Sequence, residues 1–140
     1  MATYTLVPNV TRIPDSGDWD INGGAGTIHG NLAVTAGTIS TAAQGKDFRV
    51  GFLSQALADN ETIDSVRACI KGHTGNENGG AAATYCSAKE TTSDGGSTAW
   101  TQGNIDAIRM MGEVTSAAGG HTPILYEVYL LVETTIPPPQ

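Results

Sequence analysis

The chain is poor in basic residues, aromatics and cysteine, and it has no long apolar run. Seven Lys and Arg stand against fourteen Asp and Glu, a net charge of −7 over 140 residues. Such a surface repels phosphate backbones and anionic headgroups, which argues against nucleic-acid and membrane partners. No apolar stretch approaches the roughly 20 residues that a membrane-spanning helix needs. The opening MATYTLVPNV carries neither a basic n-region nor a continuous apolar segment, so no secretory signal is expected and synthesis in a cytoplasm is. Two cysteines, Cys69 and Cys86, are too few for a disulfide scaffold. Both fall within strand-like segments, where a free thiol acts as a small apolar residue. A bridge across neighbouring strands is the alternative, which a reducing compartment disfavours.

Signatures of catalysis and metal binding are equally scarce. His29, His73 and His121 share no ligand spacing, and each sits in or beside a glycine-rich turn. There is no G-x-S-x-G elbow, and the Ser, His and Asp residues are scattered. Gly23-Gly24-Ala25-Gly26 precedes no helix that could present amides to a phosphate. The carboxylate pairs Glu61/Asp64 and Glu90/Asp94 read as loop charges with no cleft to raise a pKa. One segment, Asp18 to Gly23, matches the first half of an EF-hand loop, with Asp15, Asp18, Asp20 and Asn22 as candidate calcium ligands. The match fails at its twelfth position, where His29 replaces the bidentate glutamate, and a solvated Asx-turn loop is the preferred reading. No enzyme, cofactor or metal centre is expected.

What the chain does have is glycine and alternation. Eighteen glycines cut 39% hydrophobic content into short segments, the habit of an all-β domain with many turns. Pro123 to Glu133 alternates Ile124, Tyr126, Val128, Leu130 and Val132 against Leu125, Glu127, Tyr129, Leu131 and Glu133, a strand period. Lys46 to Ser54 does the same with Phe48, Val50 and Phe52 on one face. In Thr62 to Gly72, Val66, Ala68 and Ile70 face inward and Arg67, Cys69 and Lys71 outward. Tyr4 to Asn9, Thr27 to Thr35 (with a bulge at Gly30-Asn31), Ala82 to Lys89 and Ile108 to Thr115 read as further strands, and Thr38 to Gln44 is weakly patterned. Asn104 to Ile108 reads as one helical turn capped by Asn104. The expected fold is therefore an all-β, jelly-roll-like antiparallel sandwich of about eight strands with one short helical turn. It occupies residues 1–134 as a single domain, and 135–140 form an extended Pro-rich tail.

Several of these segments recur together: Thr5-Leu6-Val7-Pro8-Asn9, Gly17-Asp18-Trp19, Ile63-Asp64-Ser65-Val66, Ala99 to Gly112, and Val128 to Glu133. In this order the chain resembles the jelly-roll modules of tailed-bacteriophage virion proteins, of the capsid-decoration and minor structural kind. The resemblance spans almost the whole chain and implies architecture more than role. It departs from the pattern in a short Cys86-to-Trp100 connection and in the tail. The residues explain why these positions recur. Ile105 and Ile108, three apart, would face one core, and Gly112 would sit where a side chain meets a facing strand. Trp19 and Trp100 read as core plugs, with a sugar-binding tryptophan as the alternative.

One feature asks for a partner. The outward face of the last strand carries Leu125, Tyr129 and Leu131, and the neighbouring Ile108–Thr115 strand is expected to add Met111. A solitary domain would make such a face polar, so an interface is indicated; cover by a loop or the N-terminal segment is the competing explanation. The resemblance implies a virion structural protein, a capsid decoration protein that binds capsid or other virion proteins as a homo-oligomer, with a trimer favoured. Residues Ala2 to Asn9 and the IPPPQ tail are the segments expected to reach out. The alternative is a carbohydrate-binding module of a phage fibre or tail that recognises a cell-surface glycan.

Overall fold

The chain changes sheets almost at once. In the computed structural model, which describes residues 2–13, 19–23, 27–33, 37–41, 47–73, 83–94, 96–113 and 124–137, nine strands and two short helices are present. They are β1 (Ala2–Leu6), β2 (Pro8–Ile13), β3 (Asp20–Gly23), α1 (Ile28–Ala33), β4 (Gly37–Ser40), β5 (Asp47–Phe52), β6 (Thr62–His73), β7 (Ala83–Cys86), α2 (Gln102–Asp106), β8 (Arg109–Glu113) and β9 (Ile124–Thr135). The expected first strand over Tyr4–Asn9 is thus two strands broken at Val7. β1 joins β9, whereas β2 joins β5 in the other sheet. Pro8 explains the break: it lacks an amide donor, and it is placed as the first residue of an edge strand.

All strand pairings are antiparallel, in a six-stranded sheet of order β3-β4-β9-β6-β7 with β1 also on β9, and a three-stranded sheet of order β2-β5-β8. The all-β sandwich expected from the alternation is therefore what folds. Its spine is the β6–β9 pair, two strands of 12 residues each. The inward face of β9 brings Val128, Leu130 and Val132 against Phe48, Val50 and Phe52 of β5, all buried. Each such side chain contributes about 1.5–3 kcal/mol on burial. A register shift between Ile63 and Ser65 lets Ile63 and Val66 both face the core despite their odd spacing.

Trp19 closes the core beside Phe48. Its ring is 4% exposed and meets the Phe48 ring edge-on at 5.4 Å, and its Nε1–H donates to the Asp47 carbonyl at 2.9 Å. Phe48 in turn lies over Gly112, its cross-strand partner on β8. A Cβ at Gly112 would come within 2.2 Å of Phe48 Cε1, so the glycine makes room for the ring.

Two local expectations change. Residues expected as a bulged strand over Thr27–Thr35 contain helix α1, so a helix, though one of only 6 residues, does follow Gly23-Gly24-Ala25-Gly26. Thr27 starts it: its hydroxyl accepts from the Gly30 amide at 3.1 Å and its carbonyl from the Asn31 amide at 3.0 Å. Ile28 and Leu32, four apart, then enter the core on one face, and Asn31 Nδ2 donates to the Thr38 carbonyl at 3.1 Å. Strand propensity yields here to a tertiary site shaped for a helical turn. The second change concerns α2, which is capped by Thr101. The Thr101 hydroxyl accepts from the Asn104 amide and the Asn104 side chain accepts from the Thr101 amide, a capping box that makes Asn104 the third helical residue. Ile105 is buried and Ile108 packs against the core, as their spacing indicates.

Candidate functional site

The outer face of the large sheet is set by register. β6 and β9 place Arg67 opposite Leu131, Cys69 opposite Tyr129, and Lys71 opposite Glu127; β1 adds Thr5 beside Leu131 and Thr3 beside Glu133. On the other flank, Cys86 of β7 stands opposite Cys69, and the two are joined by a disulfide with Cα atoms 4.1 Å apart. The bridge left open by the sequence is therefore formed. Cys69 is 1% exposed, while all four residues of β7 are exposed. Beyond β7 the chain keeps to the β6 edge, with Glu90 and Val66 exchanging both backbone hydrogen bonds at 2.9 Å. This run brings Lys89 to Glu133 at 2.7 Å.

The result is a centre of Tyr129, Leu131, the disulfide and Arg67, bordered by charge. Tyr129, Leu131 and Arg67 are each half-buried. Arg67 Nε is closed off from solvent without a hydrogen-bond acceptor. The outward set Arg67, Cys69 and Lys71 was legible in the period of two; which strand lies beside it was not.

Of the four residues expected to share one outward face, only Tyr129 and Leu131 lie on it together. Leu125 packs against the core and pairs with Ile39, which is fully buried. The cause is a second register shift, between Lys71 and Gly72, which turns the start of β9 over. Gly72 permits it, since a Cβ there would come within 2.6 Å of the Ile124 carbonyl oxygen. Met111 is 53% exposed but belongs to the small sheet, opposite Arg49, because β8 pairs with β5 rather than β9. The N-terminal segment does not reach out either: Ala2–Leu6 and Pro8–Ile13 are both built into sheets.

Asp15 and Asp18 of the calcium candidate lie outside the described residues. Asp20 and Asn22 are in β3, paired with Ser40 and Thr38, so that part of the segment is strand rather than loop. Among the described residues no three His, Cys, Asp or Glu side chains converge as a metal site would require. No described helix is long and apolar enough to cross a membrane.

A second constellation gathers at the start of β6. Glu61 Oε2 accepts from the Tyr4 hydroxyl at 2.8 Å and from the buried Thr134 hydroxyl, and Oε1 accepts from the Ala58 amide at 3.0 Å. The Glu61 amide returns a bond to the Ala58 carbonyl, also at 3.0 Å. One carboxylate thus ties the 58–61 turn to β1 and β9. The hydrogen bonds from Thr134 and Ala58 hold the Glu61 carboxyl below its usual range, and the bond to Glu61 raises the Tyr4 phenol above its own. Asp94 plays a similar part in its turn, held below its usual range by hydrogen bonds from Thr98 and Gly96. Beside Glu61 opens a groove of about 420 Å³ lined by Leu57, Asp59, Glu61, Ile63, Trp100 and Gln102, among others. Trp100 packs against the core, with its Nε1–H donated to the Glu90 carbonyl at 2.9 Å.

Fold and face together define an antiparallel β-sandwich with a mixed apolar and cationic patch on its large sheet. Compared with known protein families, curated proteins and solved structures, the chain matches none.

Proposed function

We propose that the chain is a non-enzymatic virion structural protein, a capsid decoration protein of a tailed bacteriophage that binds and stabilises the capsid surface. On this reading it is made in the host cytoplasm, assembles as a homo-oligomer with a trimer favoured, and ends in the virion. The observation that carries the reading is the outer face of the large sheet. Tyr129 and Leu131 lie beside Arg67, and the Lys89–Glu133 ion pair stands at the border. An aromatic and arginine centre with a polar rim is the composition of protein–protein contact sites, whereas a solvated sheet face is polar throughout. The face sits on the long β6–β9 spine, so it is rigid and loses little entropy on docking. A capsid lattice repeats each contact, and modest single contacts then act together. The resemblance of the core and turn segments to phage virion modules points the same way.

Size-exclusion chromatography with mass measurement, joined to co-sedimentation with capsids of the phage that encodes the chain, tests the proposal. Oligomers that pellet with capsids are expected; a strict monomer that stays in the supernatant contradicts it.

A second reading, a glycan-binding module of a fibre or tail, is favoured by the groove beside Trp100. Its lining combines an indole with Asp59, a carboxylate free of hydrogen-bond partners among the described residues, and the Gln102 amide. Trp19 is excluded from such a role by its burial. A glycan array separates the readings, since binding that Trp100→Ala abolishes would favour the second.

A further inference from the structure

On the large sheet's outer face, Arg67 has a closed-off donor with no counterpart among the described residues, whereas Lys71 at least stands opposite a carboxylate, Glu127. Arg67 has no hydrogen-bond or ion-pair partner among the described residues, and its Nε is shut off from water. The acids around it are engaged or displaced: Glu133 is held by Lys89 at 2.7 Å, Asp64 accepts from the Thr135 hydroxyl, and Glu127 stands opposite Lys71. Arg49 on the small sheet supplies the contrast. Its Nε is also closed off, but its guanidinium reaches Asp47 at 3.3 Å. A buried donor without an acceptor costs free energy, and that cost is recovered when an acceptor arrives.

We infer that this face seats an acidic side chain of a protein partner, with its carboxylate docked on Arg67 between Tyr129 and Leu131. The inference rests on the reading of this face as the attachment surface and adds the chemistry of what it meets. A guanidinium fork fits a carboxylate in two parallel hydrogen bonds, and the half-buried Tyr129 and Leu131 lower the local dielectric around that contact. The partner surface should carry an isolated acid amid apolar side chains. A broad acidic patch would be repelled by Glu127, Glu133 and a chain of net charge −7.

The test uses the full chain and capsids, with binding measured by co-sedimentation for the wild type, Arg67→Met, Arg67→Lys and Tyr129→Ser. Arg67→Met should weaken binding about tenfold or more while leaving the thermal midpoint unchanged or raised, because the free chain loses no bond. Arg67→Lys should restore only part of the affinity, since an ammonium cannot form the fork. Capsids whose carboxylates have been amidated should fail to bind the wild type, a readout independent of how any variant folds. If Arg67→Met or the amidated capsids bind as the wild-type pair does while Tyr129→Ser fails, the carboxylate inference falls and the face stands. If Tyr129→Ser also binds normally, or the wild type does not bind at all, the attachment face falls with it.

Discussion

Breaking the Cys69–Cys86 bridge is the perturbation whose size follows most directly from the structure. The bridge spans 17 residues of chain and joins the most exposed strand, β7, to the spine of the large sheet. Closing a loop of that length removes about 3 kcal/mol of denatured-state entropy at 25 °C. For a chain of this size, unfolding entropy at about 2 cal/mol/K per residue converts this into a drop of roughly 10 °C in Tm. That figure is a ceiling, because among the described residues β7 pairs only with β6 and can detach once freed, leaving the remaining sandwich folded. The assay is thermal unfolding by circular dichroism, with hydrogen exchange read at the Ala83–Cys86 amides. It compares the wild type with and without reductant and the double variant Cys69→Ala/Cys86→Ala. Reduction should lower Tm and deprotect β7 while the β6–β9 amides stay protected. A Tm that moves by less than about 2 °C, with β7 protection unchanged, would refute the assignment of the bridge as the clasp of this strand.

Three further outcomes are expected. Gly112→Ala forces the fully buried Phe48 ring from its place and should cost about 1–3 kcal/mol in urea unfolding, whereas neutrality would mean the ring is not seated there. Thr101→Ala removes the capping box of α2 and should cost about 0.5–2 kcal/mol, while Asn104→Ala should leave the Thr101 hydroxyl bond to the residue-104 amide in place and cost less. Glu61 has a folded pKa below its unfolded value, so its stabilisation is complete above the unfolded pKa and is lost as pH falls through the folded one. Glu61→Gln should therefore lower Tm at neutral pH and flatten its fall in acid; a parallel acid limb in wild type and variant would count against the carboxylate clamp.

How much of this was legible in the sequence depends on the kind of information each residue carries. Alternation identifies faces, and it puts Phe48, Val50 and Phe52 inward and Arg67, Cys69 and Lys71 outward. It does not say which strands are neighbours. By alternation alone Met111 reads as a neighbour of Tyr129, although β8 crosses to β5. It also assumes an unbroken pleat, so it points Leu125 outward, whereas the shift at Gly72 turns it toward the core. Helix α1 is hidden in the sequence because Thr27, Ile28 and Leu32 fit a strand equally well, and only their surroundings choose. The cysteines were placed in strands correctly, but a bridge depends on register, which no spacing within the chain reveals. The unpaired state of Arg67 became visible only when every acid near it had been given a place.

On the proposed reading, the outer face of the β6–β9 spine is the surface that docks. Radical footprinting with mass spectrometry, applied to the chain free and bound to capsids, addresses it most directly. Tyr129 and Leu131 should lose reactivity on binding, while Met111 on the small sheet and Tyr85 on the edge strand, 53% and 65% exposed, keep theirs. Protection of Met111 or Tyr85 with Tyr129 and Leu131 still reactive would put the docking surface elsewhere and overturn the proposed face.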